Sequence, residues 1–218
     1  MAAPWWHERL QCTGLSWLQD TSYNLMYHGL ICASVERWHE ETSSFHLPFG
    51  GMTVTLDDVS CLLHLPIEGM LLSHEFITQD DAVDSMVRHL GSDLGDALLE
   101  VTHTKGAHFQ FSSLRMIFKE RMLEQLTLEN EYGVTQEVRS LRDQAVRTYF
   151  LYLVGITLFT DKSQTDVDVV YLRYYKDLDI VVEFSWGAGV LAHLYRELEN
   201  VARWNCGQVL GYLTLLQI

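Results

Sequence analysis

Basic residues are scarce in this 218-residue chain, where 15 lysines and arginines stand against 29 aspartates and glutamates, giving a formal charge of −14 at pH 7. Proteins bind duplex nucleic acid chiefly through Lys and Arg side chains that neutralise phosphates. The shortage therefore argues against broad nucleic-acid binding, although a local basic patch is compatible with it. The simplest role of the acid excess is to keep the surface soluble.

Cysteines are few and widely spaced: Cys12, Cys32, Cys61 and Cys206 form no C-x-x-C pair. Structural zinc sites normally use close ligand pairs, so this spacing argues against such a site. We expect reduced, buried thiols in an intracellular protein. Cys61 and His64 lie three residues apart on a predicted helix, but a core or edge role is more common for such a pair than metal ligation.

Catalytic and cofactor-binding motifs are also missing. The His-Glu pairs that begin at His39 and His74 lack a second histidine four residues on, so the zincin pattern is absent. The chain has no G-x-S-x-G nucleophile elbow and no phosphate-binding glycine loop. The sequence therefore predicts no catalytic residue, no metal and no cofactor, and hence no enzyme. The alternative, an enzyme, requires Glu41, His46 and Asp58 to converge on a cleft.

Long hydrophobic runs are absent too. The longest apolar run, Tyr149–Phe159, has eleven residues and is too short to cross a bilayer as a helix. We interpret it as part of a buried core helix. The N-terminus lacks a basic segment followed by an apolar one, so no secretory signal is visible, and we expect no membrane association.

Helical periodicity accounts for most of the chain, which has only three prolines. Apolar residues recur every three or four positions, a spacing typical of helices with one buried face. The sequence predicts a mainly α fold: a helical domain with one short β-hairpin near residues 44–55. Helices are predicted within 23–38, 55–65, 80–91, 92–102, 111–126 (starting at a serine cap), 135–159 and 185–204.

The hairpin prediction depends on a change of period. Phe45 and Leu47 alternate with polar or turn-forming neighbours, and Met52 and Val54 alternate with threonines. The pair Gly50-Gly51 between these runs can supply the positive φ angles of a tight turn.

A capped helix is predicted directly after the hairpin. Thr55 is a good N-cap, and Asp58 three residues on gives a capping-box pattern. Pro66 requires the helix to stop by about Leu65, because the residue before proline disfavours the α region. The predicted buried stripe of this helix is Val59, Leu62 and Leu63.

Two groups of charged residues have both a structural and a functional interpretation. Arg37, Glu40 and Glu41 suggest ion pairs above Trp38 that hold the hairpin to the preceding helix, and we favour this over catalysis. Three arginines of one predicted helix are candidates for a nucleic-acid-binding stripe, although a solvated helix face is the more common meaning of such a run. The three are Arg139, Arg142 and Arg147.

The stretch Val35–Gly69, VERWHEETSSFHLPFGGMTVTLDDVSCLLHLPIEG, resembles the plant mobile domain, a family also labelled aminotransferase-like. Two later segments agree with the family pattern: the apolar run that leads into F-x-D-K-S, and the helix FSWGAGVLAHLYREL. The residues that carry the resemblance are assigned structural roles. They are Arg37, Trp38, Glu41, Phe45, His46, Pro48, Gly50, Thr55, Asp58, Trp186, His193, Tyr195 and Arg196.

The chain departs from the family pattern at identifiable places. Gly51 stands where the family usually has an acidic residue, and His64 stands where it usually has glycine. The sequence ends at Ile218, before the Trp-rich segment into which the family normally continues. We therefore expect a short, C-terminally truncated member in which residues 1–218 form a single domain.

The resemblance implies a plant protein that acts in the nucleus. The domain occurs in transposable elements and in related host proteins that act in meristem maintenance, genome stability and transposon silencing. Some members are fused to, or partner with, a phosphatase of the long-form phosphatase-seven type. We therefore expect a non-enzymatic protein-interaction module whose partners are nuclear proteins, with such a phosphatase as a candidate. The alternative is a transposon-derived nucleic-acid-associated protein. No residues of this chain support the aminotransferase-like label.

Overall fold

The computed structural model describes residues 4–20, 28–73, 75–160, 165–204 and 216. The chain forms two compact units, each assembled from segments that are separate in sequence. The first unit comprises Met1–Ser16, Ser73–Ile156 and Ser163–Val182; the second comprises Trp17–Leu72, Thr157–Lys162 and Glu183–Ile218. The expectation of a single domain over residues 1–218 stays a prediction.

Helices make up most of the described residues, which confirms the predicted mainly α fold class. Short 3-10 helices, a π-helical turn at Met86–Leu90 that follows α4, and small antiparallel sheets connect the α-helices. In chain order the helices and strands are α1 (Pro4–Cys12), α2 (His28–Val35), β1 (Trp38–His39), β2 (Ser44–Leu47), β3 (Gly50–Met52), α3 (Leu56–Leu63), α4 (Gln79–Ser85), α5 (Leu94–Thr104), β4 (His108–Gln110), α6 (Phe111–Tyr132), α7 (Gln136–Thr157), β5 (Asp166–Asp168) and α8 (Trp186–Trp204).

The first unit packs around α7. Phe150 and Leu151 are completely buried, which confirms a core helix for most of the apolar run 149–159. The helix ends at Thr157, so Leu158 and Phe159 are buried just beyond it. At the start of the chain, Trp6 of α1 meets Phe118 of α6 edge-on, with ring centroids 5.5 Å apart. Among the described residues no helix combines the length and the apolar character needed to cross a membrane.

The start of α6 differs from the prediction, because its cap comes from another helix. Gln110 occupies the N-cap position and its side chain makes no capping bond. Glu100 of α5 accepts a hydrogen bond from the Gln110 N–H at 3.0 Å and another from the Ser113 hydroxyl. A carboxylate stabilises a helix N-terminus because the free N–H groups there carry partial positive charge. The predicted serine cap is therefore wrong.

The second unit joins the segment after α3 to the start of α8 through backbone hydrogen bonds. The Met70 N–H donates to the Glu183 carbonyl and the Ser185 N–H donates to the Met70 carbonyl, both at 2.8 Å. The Gly187 N–H donates to the Pro66 carbonyl, also at 2.8 Å. These bonds satisfy backbone groups that would otherwise be costly to bury, and they fix the position at which α8 begins.

Strands β1, β2 and β3 form an antiparallel sheet, which confirms the predicted hairpin and adds a third strand. The turn is displaced from its predicted place: Leu47 pairs with Gly50, so Pro48 and Phe49 form the turn. Proline suits the first corner of a turn because its ring presets φ. Gly50 and Gly51 lie in β3 instead, and Gly50 has a φ of +136°, which side-chain-bearing residues rarely adopt.

Some predicted helix faces are wrong in detail. Leu62 of α3 is 42% exposed, whereas Val59 and Leu63 are buried as predicted. Only the stripe through Val59 and Leu63, four residues apart, is covered on this short helix. In α8, apolar spacing predicts that Ala202 faces the core and that Glu197 faces water. Both predictions are wrong, because Glu197 is buried and Ala202 is exposed.

The cysteines differ from expectation as well. Cys12, Cys32 and Cys61 are free thiols, but all three are exposed instead of buried. Cys206 lies outside the described residues, as does the part of the predicted helix 23–38 before His28.

Adding a methyl group at Gly69, by substitution with alanine, should destabilise the protein strongly. Gly69 has a φ of +117°, and an added Cβ would lie 2.2 Å from the Glu183 carbonyl oxygen. This oxygen belongs to the backbone and cannot rotate away. We expect Gly69→Ala to lower the free energy of unfolding by about 2 kcal/mol or more, measured by urea unfolding.

Gly29→Ala is the matched control, because Gly29 lies in α2 and no atom is within 4 Å of the added Cβ. We expect Gly29→Ala to leave stability unchanged or raise it slightly. Equal unfolding midpoints for Gly69→Ala and the parent chain would contradict the close approach.

Candidate functional site

An aromatic cluster in the second unit brings together three of the signature residues, as we call the residues that carry the family resemblance. Trp38 of β1 lies opposite Phe45 of β2, and their rings meet edge-on with centroids 4.9 Å apart. Tyr195 of α8 meets Trp38 edge-on at 5.2 Å. Trp38 is only 5% exposed. Such ring pairs contribute about 0.5–1.5 kcal/mol beyond the burial of their area, so this cluster holds the sheet against α8.

The Tyr195 hydroxyl adds a polar tie at the same place. It donates to the Val54 carbonyl at 2.5 Å and lies 2.7 Å from Thr53 Oγ1. The Thr53 hydroxyl also reaches the Ser43 carbonyl at 2.9 Å. Thr53 was not singled out from the sequence, because its role depends on a residue of α8 that is remote along the chain.

The N-terminus of α3 carries the capping box that the sequence predicts. The Asp58 N–H donates to Thr55 Oγ1 at 3.2 Å, and the Thr55 N–H donates to Asp58 Oδ2 at 2.8 Å. The Thr55 hydroxyl also donates to Asp58 Oδ2, at 2.7 Å. These bonds favour the ionised carboxylate, and the Thr55 hydroxyl is the main cause of a lowered pKa of Asp58. Asp58 is therefore occupied as a cap.

The C-terminus of α3 lies at one of the chain's departures from the family pattern. His64 is the C-cap residue, with φ 49° and ψ 29°, and its N–H donates to the Ser60 carbonyl at 3.1 Å. Glycine is favoured at left-handed positions of this kind because it has no Cβ. The glycine of the family pattern therefore has a conformational role, which His64 fills at some cost.

His193 and Arg196 form a second polar cluster, on α8. His193 is 3% exposed, and its two ring nitrogens have different partners. Nε2 lies 3.2 Å from the Thr160 carbonyl, and the Arg196 guanidinium donates to Nδ1 at 2.7 Å. The carbonyl and the guanidinium together favour the tautomer that carries its proton on Nε2. Arg196 also reaches the buried Glu197, at 3.4 Å.

The start of α8 depends on a close approach. Trp186 is completely buried. A Cβ added to the next residue, Gly187, would lie 2.8 Å from Ile67 Cγ2 and 3.0 Å from Val59 Cγ1. Glycine therefore lets α8 pack closely against this part of the unit. The sequence showed the Trp-Gly pair, but not the contact that requires it.

Arg37 and Glu41 are both exposed. The Arg37 guanidinium donates to the Ala33 carbonyl at 2.8 Å, near the end of α2. A cation is favoured there because helix carbonyls at the C-terminus carry partial negative charge. Trp38 packs on aromatic rings, and the pairing of Arg37 with the following glutamates stays a prediction.

His46 lies on the outer face of the sheet. Its ring stacks on that of His39, with centroids 3.7 Å apart, and its Nε2 lies 3.2 Å from Thr42 Oγ1. Of the three groups that the enzyme alternative requires, His46 makes these local contacts, Asp58 caps α3, and Glu41 projects from an exposed 3-10 turn. His46 and Asp58 therefore have local structural roles, and Glu41 is exposed.

The proposed Cys61–His64 ligand pair is also not supported. Cys61 is exposed on α3, whereas His64 lies past the last helical turn in the left-handed conformation. The pair therefore does not share the helical register on which the suggestion depended. In the part of the chain that the structure describes, no group of three or more His, Cys, Asp or Glu residues is placed to hold a metal ion.

The three arginines of α7 form neither the candidate nucleic-acid-binding stripe nor the solvated helix face that we favoured, because two of them bond to other parts of the first unit. Arg142 is only 14% exposed and pairs with Glu129 at 2.7 Å. Arg147 donates to the Tyr175 carbonyl at 2.8 Å. Arg139 is exposed. Two of the three guanidinium groups therefore stabilise the first unit from within.

Several large apolar side chains of the second unit face solvent. Phe49, at the hairpin turn, is 79% exposed, and Leu71 is 75% exposed. Met52, at the end of β3, is 50% exposed. Exposed apolar groups on a folded unit are candidates for contacts with another protein.

Comparison with known proteins identifies the family. The family profile described as Plant mobile domain matches residues 16–218. The match spans nearly the whole chain, and the chain belongs to the plant mobile domain family. No solved structure matches the chain.

Similar proteins occur in Arabidopsis thaliana. The chain is 34% identical over 190 residues to MAIN-LIKE 1, an alignment that covers 87% of this chain and 34% of that protein. It is 31% identical over 204 residues to MAINTENANCE OF MERISTEMS, covering 94% and 39%. It is 32% identical over 211 residues to a serine/threonine-protein phosphatase 7 long form homolog, covering 94% and 14%. The chain thus spans less than half the length of each of these relatives.

Restoring the family glycine at the end of α3 should stabilise the protein. We expect His64→Gly to raise the free energy of unfolding by about 0.5–1 kcal/mol, because glycine adopts this φ without steric cost. The comparison variant is His64→Ala, which also removes the imidazole but keeps a Cβ. Urea midpoints should rise for the glycine variant alone. A rise of the same size with alanine would attribute the effect to loss of the imidazole instead of to the backbone.

Proposed function

We propose that this plant mobile domain is a non-enzymatic protein-interaction module of transposon-related origin that acts in the nucleus, in meristem maintenance, genome stability and transposon silencing. One observation carries the proposal: the signature side chains are used to hold the fold together. Trp38 and Tyr195 pack on each other, Asp58 caps a helix, and the buried His193 bonds to Thr160 and Arg196.

A catalytic acid, base or nucleophile must reach a bound substrate. Asp58 Oδ2 is occupied by the Thr55 N–H and hydroxyl. His46 lies against His39 on the face of a small sheet. These contacts favour a scaffold over a reactive site and support the non-enzymatic part of the proposal.

The interaction part of the proposal is supported by apolar groups that the fold leaves exposed. Phe49 is 79% exposed at the tip of the hairpin, where the signature Pro48 and Gly50 shape the turn. Aromatic side chains are enriched at protein interfaces because they bury much area at little entropic cost. The hairpin thus presents an anchor of the kind that partner proteins use.

A nuclear phosphatase of the long-form phosphatase-seven type is the proposed partner class. One relative carries the name of such a phosphatase, and the chain aligns with 14% of it. In that relative, a region similar to the present chain is part of the same polypeptide as the rest of the protein named as a phosphatase homolog. We infer that the present chain meets a separate protein of the same type. Nuclear localisation is proposed on the basis of the family to which MAINTENANCE OF MERISTEMS also belongs.

The alternative function, association with nucleic acid, lacks the arginine stripe on which it was based. Positive charge remains around His89, whose pKa is lowered by burial and then by the nearby Arg147 and Lys176. Against this stands the formal charge of −14 for the chain, which opposes phosphate binding.

Affinity purification from plant nuclear extract tests the proposal. The tagged chain is compared with the tag alone and with the Phe49→Ser variant, which removes the exposed aromatic side chain at the hairpin tip and should leave the fold intact. We expect the parent chain to enrich specific nuclear proteins, including a phosphatase of the proposed type, and the variant to lose them. No enrichment over the tag would contradict an interaction module. Gel-shift binding to DNA that weakens with salt would favour the alternative.

A further inference from the structure

Strand β3 is an open edge of the sheet. The strand order is β1-β2-β3, and no other described strand pairs with β3. The His46 N–H of β2 donates to the Arg37 carbonyl at 2.7 Å, on the β1 side. Backbone groups of successive strand residues point to alternate sides. The backbone N–H and C=O groups of Phe45 and Leu47 therefore point towards β3. Gly51, which lies opposite His46, directs its N–H and C=O away from the sheet.

Among the residues that the structure describes, little obstructs an approach to this edge. Gly50, Gly51 and Met52 are all exposed. A Cβ at Gly50 would have no atom within 4 Å, and one at Gly51 would be 3.6 Å from Ser44 Oγ. Natural proteins block open edges with charged side chains or proline, and this chain has glycine where the family pattern has an acidic residue. The charged side chain that would hinder strand pairing at position 51 is therefore absent from this chain.

Apolar side chains stand at both ends of the edge. Phe49 precedes β3 and is 79% exposed, and Met52 ends β3 and is 50% exposed. Peptides that add a strand to a sheet obtain affinity from backbone bonds and specificity from contacts with neighbouring side chains. Gly51 offers backbone hydrogen bonds to such a peptide, and the flanking Phe49 and Met52 offer side-chain contacts.

The charge of the surrounding chain indicates what kind of segment would bind. Between His28 and Leu72 there is one arginine and no lysine, against six carboxylates. The carboxylates are Glu36, Glu40, Glu41, Asp57, Asp58 and Glu68. A basic segment is attracted to such a region and an acidic one is repelled.

We propose that Gly50–Met52 accepts an extended segment of a partner protein, with basic and apolar residues alternating, as a fourth strand of the β1–β2–β3 sheet. The inference rests on the proposed function, because it names the surface through which the module binds. The Gly51 N–H and C=O bond to the incoming backbone. Met52, which lies on the same face as its partner Phe45, contacts the apolar side chains of the segment, and Phe49 contacts the end of the segment beside the turn. Lysine or arginine side chains of the segment face the carboxylates of the second unit.

A synthetic peptide of about nine residues with alternating lysine and valine, long enough to cross the edge, tests the proposal. It is added at millimolar concentration to the full chain, and amide signals are followed by NMR. We expect the Gly51 amide to shift and to become protected from hydrogen exchange. An alternating glutamate–valine peptide should bind at least about tenfold more weakly. So should a lysine–valine peptide with alternate backbone nitrogens methylated, because it cannot complete the strand pairing.

The decisive variant is Gly51→Pro, which removes the outward N–H. Proline is tolerated on an edge strand whose N–H faces solvent, so the thermal midpoint should stay close to that of the parent. Binding of the lysine–valine peptide should fall by about tenfold or more. Gly51→Ala keeps the N–H and is the matched control, with binding close to that of the parent.

Two results would overturn the inference: no change at Gly51 with the lysine–valine peptide, or equal binding by Gly51→Pro and the parent. Its failure can be distinguished from that of the proposed function. If nuclear proteins are enriched equally by the parent and by Gly51→Pro, the interaction module stands and the edge is not its binding surface. If neither enriches any protein, the proposed function fails as well.

Discussion

The edge-on packing of Trp38 between Phe45 and Tyr195 is the contact on which the second unit depends. It joins a short sheet, too small to be stable alone, to a long helix from the far end of the chain. Bringing Trp38 and Tyr195 together closes a long stretch of chain, and the entropy lost in doing so must be offset by contacts between the side chains that meet there. The buried rings, together with the bond from the Tyr195 hydroxyl to the Val54 carbonyl, supply that stabilisation.

The packing of Trp38 also explains the order of residue types in the signature. Residues of the hairpin alternate between a face that packs on α8 and an exposed face. Phe45 lies on the packed face beside Trp38, and His46 lies on the other. The residues that follow must turn at once into a helix, which Thr55 and Asp58 allow by capping it. Arg37 and Pro48 lie outside this packing and have local roles at a helix end and a turn.

Features decided by nearby residues could be predicted from the sequence. The helices followed from apolar spacing, and the cap at Thr55 from a partner three residues away. Features decided by tertiary contacts could not. The cap of α6 comes from Glu100 on another helix, and Gly69 is required by a carbonyl more than a hundred positions along the chain. The direction of Arg142 likewise depends on Glu129, a residue of another helix.

For the candidate site too, the sequence identified residues but not their tertiary contacts. The family pattern identified the residues, and several of them pack or hydrogen-bond within the second unit. Differences in binding among relatives that share 31–34% identity with this chain are then expected at exposed positions. Gly51 is such a position, since it lies at a solvent-facing edge and departs from the family pattern.

A double-mutant cycle between Trp38 and Tyr195 tests the scaffold role of the signature most directly. Trp38→Leu, Tyr195→Leu and the double variant are compared by urea unfolding, with Tyr132→Leu, an exposed tyrosine of α6, as the reference partner of Trp38. The account predicts a coupling energy between Trp38 and Tyr195 of about 0.5–1.5 kcal/mol or more. It also predicts that the effects of Trp38→Leu and Tyr132→Leu add to within about 0.5 kcal/mol. Additive effects for Trp38 and Tyr195 would show that the two residues do not stabilise the fold together, and would contradict the account.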